Sequence, residues 1–138
     1  NKTHLTKKNI DNIIKNKNIN LLGKTHNMRD IYYETDFVVL PTWREGLSMS
    51  ILESASMSLP IITTNVPGCK EVIKNDFSGL LVPPKNINEL KSAIKKFLLN
   101  PNEAINYGKN ARKSVIYNFS LKRINNQILS TYELRDLE

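Results

Sequence analysis

With 138 residues, the chain has room for one compact domain, and five glycines, six prolines and no persistent heptad exclude a linker, a collagen-like or a coiled-coil molecule. Apolar residues at 40% and charged residues at 24% are globular proportions; one Cys with two His excludes an internal disulfide and argues against a structural zinc site. A net charge of +7 points to phosphates, nucleic acid or an acidic membrane face as partners, although lysines scattered over solvated helix faces would give the same sum. No run of about 18 apolar residues is present to span a bilayer. No charged-then-apolar leader is visible, so a reducing cytosol is the expected setting.

Leu5 to Lys17 reads as a helix with a weak apolar stripe of Leu5, Ile10, Ile13 and Ile14. Ile19 to Leu22 is a short apolar run stopped by Gly23, as a buried strand would be. Met28 to Thr35 has helical spacing. Phe37 to Leu40 is a second strand, stopped by Pro41. Ser50 to Ser58 is a helix of small residues. Ile61 to Thr64 is a third strand, Cys69 to Lys74 a short helix, and Leu80 to Val82 a fourth strand ended by Pro83-Pro84. Three helices follow, from Asn86 to about Leu134. Asn86 is a plausible N-cap with Glu89 three residues on, Pro101 suits a first helical position, and Ser120 starts the third.

Strands alternating with helices over short links predict an α/β fold. The expected form is a Rossmann-like open parallel sheet with helices on both faces, followed by C-terminal helices. Gly23, Gly46 and Gly68 each fall just after a predicted strand, on the carboxyl edge where open parallel sheets bind ligands. Ordinary turn chemistry is the alternative for each glycine alone.

The segment Pro41-Thr42-Trp43-Arg44-Glu45-Gly46-Leu47-Ser48-Met49-Ser50-Ile51-Leu52-Glu53 places two carboxylates eight residues apart. On one helix they would lie about 12 Å apart along the axis and about 80° apart around it, which does not suit a shared metal. That spacing also exceeds the roughly 5–9.5 Å of paired glycosidase carboxylates. Glu45 is therefore expected in the loop and Glu53 on the helix, holding different parts of one elongated ligand. A helix starting near Leu47 to Ser50 would offer free N–H groups and its positive dipole end to a phosphate, with Arg44 and Lys24 as candidate cations. Bland alternatives stand beside each residue. Ser50-Ile51-Leu52-Glu53 matches a capping box, Glu45 fits a solvated loop acid, Arg44 a surface cation, and Trp43 a hydrophobic lid or core residue.

Pro41 to Glu53, continued through Thr64-Asn65-Val66-Pro67-Gly68-Cys69-Lys70-Glu71, resembles the C-terminal domain of family 4 retaining glycosyltransferases of the GT-B fold. The hallmark is a Glu, seven residues and a second Glu within a proline-then-Glu-Gly loop. Asp36 to Pro41, Asp76 to Pro84 and Tyr107 to Arg112 extend the similarity over about Ile19 to Tyr132.

The resemblance implies a nucleotide-sugar donor, with Glu45 as catalytic residue and ligand of the transferred sugar. It implies that Glu45, Gly46, Leu47 and Ser48 meet the sugar and diphosphate, and that Glu53 accepts from both ribose hydroxyls. Gly23, Lys24 and Thr25 would hold the nucleobase. Glu71 would brace the loop around Gly68, and Cys69, at a helix start where a thiolate is favoured, would be a small packing residue. No cofactor and no metal are implied. The implied reaction moves a hexosyl group, with retention, from a UDP-hexose or UDP-N-acetylhexosamine to a glycan or polyprenyl-linked acceptor. Such enzymes build bacterial surface polysaccharides at the cytoplasmic membrane face, where the positive charge suits peripheral contact.

On this reading residues 1–138 form one partial donor-binding domain, with βα units over 1–85 and a helical tail over 86–138. The sheet is incomplete at its N-terminal side. The strands bearing a diphosphate-neutralising Arg and Lys, and the whole N-terminal domain, lie outside the chain, leaving an exposed sheet edge and an isolated chain without turnover. A non-catalytic nucleotide-binding or interaction remnant of the same fold is the alternative. A sugar-nucleotide epimerase or phosphorylase would need further His, Asp or Lys groups, which the sequence does not reveal. Nucleic acid is not an expected partner, because the lysines are spread through most helices. Loss of a buried Glu53 is expected to weaken nucleotide binding and to strengthen nonspecific polyanion binding.

Overall fold

A computed structural model of the chain describes residues 6–133. The predicted helix start at Leu5 and helix end near Leu134 lie outside the described residues. The elements in order are α1 (Lys7–Ile14), α2 (Met28–Tyr33), β1 (Val38–Leu40), α3 (Met49–Ser56), β2 (Ile61–Thr64), β3 (Leu80–Val82), α4 (Ile87–Leu99), α5 (Pro101–Phe119) and α6 (Leu121–Glu133).

The three strands form one parallel sheet in the order β1-β2-β3, with Val39 opposite Ile62 and Thr63 opposite Leu81. Successive strand residues point to opposite faces, and each face carries its own core. On one face Ile61 meets Ile51 and Ala55 of α3, Val72 and Ile73 of the following turn, and Ala111 and Val115 of α5. On the other, Ile62, Leu80 and Val82 meet Ala93 and Phe97 of α4 and Ala104 and Tyr107 of α5. Helices therefore cover both faces, as expected, and α5 contributes one end to each core. Where α5 crosses the turn between α3 and β2 the backbones touch: a Cβ on Gly108 would lie 2.0 Å from the Ser58 carbonyl oxygen.

Local end signals set several boundaries. The Asn86 side chain accepts from the Glu89 N–H at 3.1 Å and caps α4. Pro101 opens α5 and Leu121 follows Ser120 into α6. A surface clasp ties α4, α5 and the turn before β3 together. The Lys96 ammonium lies 3.2 Å from each of Asp76 Oδ1, Glu103 Oε1 and the Tyr107 hydroxyl, and that hydroxyl donates to Glu103 at 2.6 Å.

Three expectations are corrected. Ile19 to Leu22 is not a strand; Ile19, Leu21 and Leu22 are all exposed. Strands are stable only with a hydrogen-bonded neighbour, and among the described residues this run has none. The sheet accordingly has three strands, with β1 at an edge whose second side is unpaired among the described residues. Cys69 to Lys74 forms consecutive turns rather than a helix, because Pro67-Gly68, with Gly68 at φ 85°, and the return at Ser78 leave too short a span. α1 stops at Ile14, short of Lys17.

Candidate functional site

The loop from Pro41 to Ser48 joins the end of β1 to α3, and the carboxyl end of β2 holds its start in place. The Thr63 hydroxyl donates to the Leu40 carbonyl at 2.9 Å, and the Thr64 hydroxyl donates to the Thr42 carbonyl. Both threonines are buried, so these bonds form away from competing water. Further along, the turn after β2 presses directly on the loop. A Cβ on Gly68 would sit 1.7 Å from the Gly46 carbonyl oxygen, and the Ser48 N–H donates to the Gly68 carbonyl at 3.4 Å. Gly68 itself is at φ 85°, a region side chains disfavour, and its N–H donates to the Glu71 carboxylate at 2.6 Å. Glu71 thus braces this turn, as the resemblance implied.

Glu45 lies in the loop, half-buried, and Glu53 lies on α3, so the two carboxylates sit on different elements as the spacing predicted. Ser48 is the N-cap residue of α3 and its side chain makes no capping bond. The first-turn N–H groups of Met49, Ser50 and Ile51 therefore have no intrahelical acceptor and face the loop end of the helix. The capping-box alternative for Glu53 fails: Ser50 is already inside the helix, and Glu53 instead accepts from the Tyr32 hydroxyl at 3.4 Å. Glu53 is exposed, not buried, because the buried positions of α3 are Ile51, Ser54 and Ala55. Burial and the neighbouring Glu53 charge raise the Tyr32 pKa, so the phenol stays a donor to that carboxylate.

Cys69 is fully buried beside the site. Burial pushes its pKa up, a hydrogen bond with Thr63 works the other way, and the charges of Glu45 and Glu71 push it up further. The expectation of a thiolate-favouring helix start is overturned: no helix begins there, and the surroundings favour the neutral thiol. Its role as a small packing residue fits this burial.

Glu45, Gly46, Leu47 and Ser48 lie on the loop at the carboxyl edge of the sheet, and Glu53 is the fifth residue of α3, which starts from that loop. Gly46 and Gly68 follow β1 and β2 there, whereas Gly23, at φ 67°, follows no strand. Gly23, Lys24 and Thr25 lie in the irregular segment before α2. Among the described residues no hydrogen bond or ion pair joins them to the 41–53 segment, although α2 itself reaches it through Tyr32. Arg44 and Lys24 are exposed. Trp43 is exposed as well, which excludes a core role, and its ring lies 5.0 Å from the Lys85 ammonium.

Among the described residues no group of three or more His, Cys, Asp or Glu is placed to hold a metal ion, and no helix is long and apolar enough to cross a membrane. Sequence reasoning missed Tyr32, Thr63, Thr64 and Lys85. The adjacent threonines at the end of an otherwise apolar strand were the available signal for two of them.

The profile of the family described as Glycosyl transferases group 1 matches residues 1–114. The N,N'-diacetylbacillosaminyl-diphospho-undecaprenol alpha-1,3-N-acetylgalactosaminyltransferase of Campylobacter jejuni is 29% identical over 98 residues, covering 71% of this chain and 26% of the relative. The UDP-Gal:alpha-D-GlcNAc-diphosphoundecaprenol alpha-1,3-galactosyltransferase of Escherichia coli is 29% identical over 117 residues, covering 84% of this chain and 30% of the relative. The crystal structure of a glycosyltransferase from Rickettsia africae matches with a TM-score of 0.83 and 27% identity, covering 92% of this chain and 34% of that one. The chain thus spans about a quarter to a third of the length of these relatives.

Proposed function

The chain belongs to the group 1 glycosyl transferases, and we propose that it is the donor-binding part of an enzyme that transfers a hexosyl group, with retention, from a nucleotide-sugar to a glycan or lipid-linked acceptor. The observation that carries this reading is the backbone contact between Gly46 and Gly68, which holds the Glu45 loop against the open N-terminus of α3.

In this reading Glu45 binds the transferred sugar and orients its anomeric carbon. The N–H groups of Gly46 and Leu47 and the first turn of α3 meet the sugar and diphosphate; the Ser48 N–H, expected to join them, is instead held by the Gly68 carbonyl. As the glycosidic bond breaks, negative charge grows on the leaving diphosphate, and fixed N–H dipoles stabilise it at no cost of reorganisation. Glu53, oriented by the Tyr32 hydroxyl, accepts from the ribose hydroxyls. The segment of Gly23, Lys24 and Thr25 holds the base. Transfer needs no metal in this reading, because the remaining charge is met by an Arg and a Lys that the family resemblance places outside this chain.

The donor is a UDP-sugar and the acceptor is polyprenyl-linked, by similarity to the Campylobacter and Escherichia relatives, whose names state diphospho-undecaprenol substrates and, for the second, UDP-Gal. Of the described residues, 6–85 supply the βα units and 86–133 the C-terminal helices of one partial domain, completed in this reading by an N-terminal domain. Work on such an acceptor places the protein at the cytoplasmic membrane face, where a net charge of +7 favours anionic lipid.

Ligand-observed NMR of the chain with UDP, GDP and ADP, repeated with Glu53→Ala, tests the reading. Binding of UDP alone, lost in the variant, is expected. No binding by a demonstrably folded chain favours the non-catalytic remnant instead. Steady release of UDP from a UDP-sugar by the 138-residue chain, dependent on Glu45, would overturn the assignment to a partial domain.

A further inference from the structure

Glu45 is half-buried, yet among the described residues its carboxylate has no hydrogen bond and no ion pair of its own. The backbone on either side therefore sets where it points. Downstream, Gly46 rests against the Gly68 backbone, and the Ser48 N–H donates to the Gly68 carbonyl. Upstream there are three ties. The Trp43 ring lies beside the Lys85 ammonium, and the Thr42 hydroxyl donates to the Arg44 carbonyl at 3.2 Å; both ties are at the surface, where water competes. The third is the hydrogen bond from the Thr64 hydroxyl to the Thr42 carbonyl, across 22 residues of chain, and its donor is only 3% exposed.

This bond differs in kind from its neighbour. Thr63 donates to the Leu40 carbonyl, but Leu40 is already fixed opposite Thr63 in the parallel ladder, and its carbonyl also accepts from the Thr42 N–H at 3.0 Å. Thr42 lies beyond the ladder, and among the described residues its carbonyl has no other donor. Without the Thr64 hydroxyl, the peptide group three residues before Glu45 is free to turn. Glu53 is held differently, by Tyr32 of α2, so the carboxylate read as the ribose ligand does not depend on Thr64. We infer that Thr64 is a positioning residue for the donor sugar: by holding the Thr42 carbonyl it sets where the Glu45 carboxylate meets the transferred sugar, and it adds nothing to the hold on the nucleotide. The inference rests on the proposed reading of Glu45 as the ligand of that sugar.

A double-mutant cycle on the 138-residue chain tests it, with UDP, UDP-galactose and UDP-N-acetylgalactosamine as probes in a calorimetric titration. Thr64→Val keeps the branched side chain that suits a strand and removes the hydroxyl. It should weaken binding of whichever UDP-sugar the native chain takes up by about tenfold and leave UDP unchanged. Glu45→Gln should do the same, and the double variant should be no weaker than Glu45→Gln alone. Thr64→Ser, which retains the hydroxyl, should bind as the native chain does. Thr63→Val loses a hydroxyl from the adjacent residue of β2 and should leave the affinities for UDP and UDP-sugar unchanged. Thermal melting shows that each variant is folded, and Thr64→Ala, read in the same way, takes the place of a valine variant that does not fold.

Native UDP-sugar affinity in a folded Thr64→Val chain overturns the inference. So does additivity with Glu45→Gln, which would mean that Thr64 acts by another route. An equal loss for UDP and UDP-sugar overturns it in favour of a general structural role, as does a Thr64→Ser chain that binds no better than Thr64→Val. The two readings fail separately. UDP-sugar binding that depends on Glu45 but not on Thr64 removes the positioning role and leaves the donor site. UDP-sugar binding indifferent to Glu45→Gln, or no binding of any probe by the folded native chain, removes the reading of Glu45 and the inference with it.

Discussion

Gly68 lies so close to Gly46 that a Cβ on Gly68 would fall 1.7 Å from the Gly46 carbonyl oxygen. The turn after β2 and the loop after β1 therefore touch backbone to backbone, and the position of Glu45 depends on a residue 23 places further along the chain, at Gly68. Gly68→Ala combines this clash with an unfavourable φ of 85°. It is expected to cost about 2–4 kcal/mol of stability and to displace the Glu45 loop. Thermal melting and UDP binding on the same variant check it. Unchanged affinity would show that the contact does not shape the site.

Glu53 is exposed and its described hydrogen bond comes from Tyr32. Glu53→Ala should change stability by no more than about 0.5 kcal/mol while weakening UDP binding about tenfold or more. Tyr32→Phe should reproduce part of the binding loss, since it removes the hydroxyl that orients the carboxylate. Isothermal titration calorimetry beside chemical denaturation separates the two effects.

Burial raises the Cys69 pKa above the ordinary thiol value of 9.0, and burial likewise raises Tyr32 and Tyr107 above 10.0. Below pH 9 these groups are neutral in both folded and unfolded chains and their contribution is fully present. As pH rises further, the unfolded chain ionises first, so stability should fall from about pH 9 upwards through the folded values. Cys69→Ala should flatten the first part of that decline. Native Cys69 should react with a thiol reagent at pH 8 only as fast as the chain opens, a rate that urea should raise.

Lys96 joins Asp76, Glu103 and Tyr107, and its pKa is raised foremost by the Tyr107 hydrogen bond, which outweighs the opposing desolvation, and then by the smaller effects of the Asp76 and Glu103 hydrogen bonds. The ion-pair side chains are substantially exposed, 38% for Lys96 and 45% for Glu103. Lys96→Met should therefore cost no more than about 1 kcal/mol, less in high salt. The Glu103 pKa is lowered by the Tyr107 and Lys96 hydrogen bonds, so its share is present above the ordinary value of 4.5 and is lost as pH falls through the lowered one. A denaturation series from pH 3 to 7 in both proteins would show the acid limb shallower in Lys96→Met.

On the proposed function, with the chain joined to the proposed N-terminal domain, Glu45→Gln should reduce transfer by about a hundredfold or more while leaving UDP affinity nearly unchanged. EDTA should leave transfer unchanged. Loss of activity on chelation, restored by a divalent ion, would remove the metal-free reading.

The sequence alone determined what depends on near neighbours. β2 and β3 begin and end at the predicted residues, because β-branched and apolar runs bounded by Pro and Gly carry their own stop signals. The starts of α4, α5 and α6 follow from Asn86, Pro101 and Ser120, because a cap needs only the next few residues. The separation of Glu45 and Glu53 onto loop and helix was legible for the same reason. Tertiary structure decided the rest. Ile19 to Leu22 carries a strand's composition without a strand's neighbour, and composition does not supply the hydrogen-bond partner. Glu53 is exposed, Cys69 favours its neutral thiol, and Gly68 seats the Glu45 loop, because burial, charge and backbone contact arise from segments distant in sequence. The Trp43 and Lys85 pair, 42 residues apart, exists only because parallel strands bring the ends of β1 and β3 to one edge.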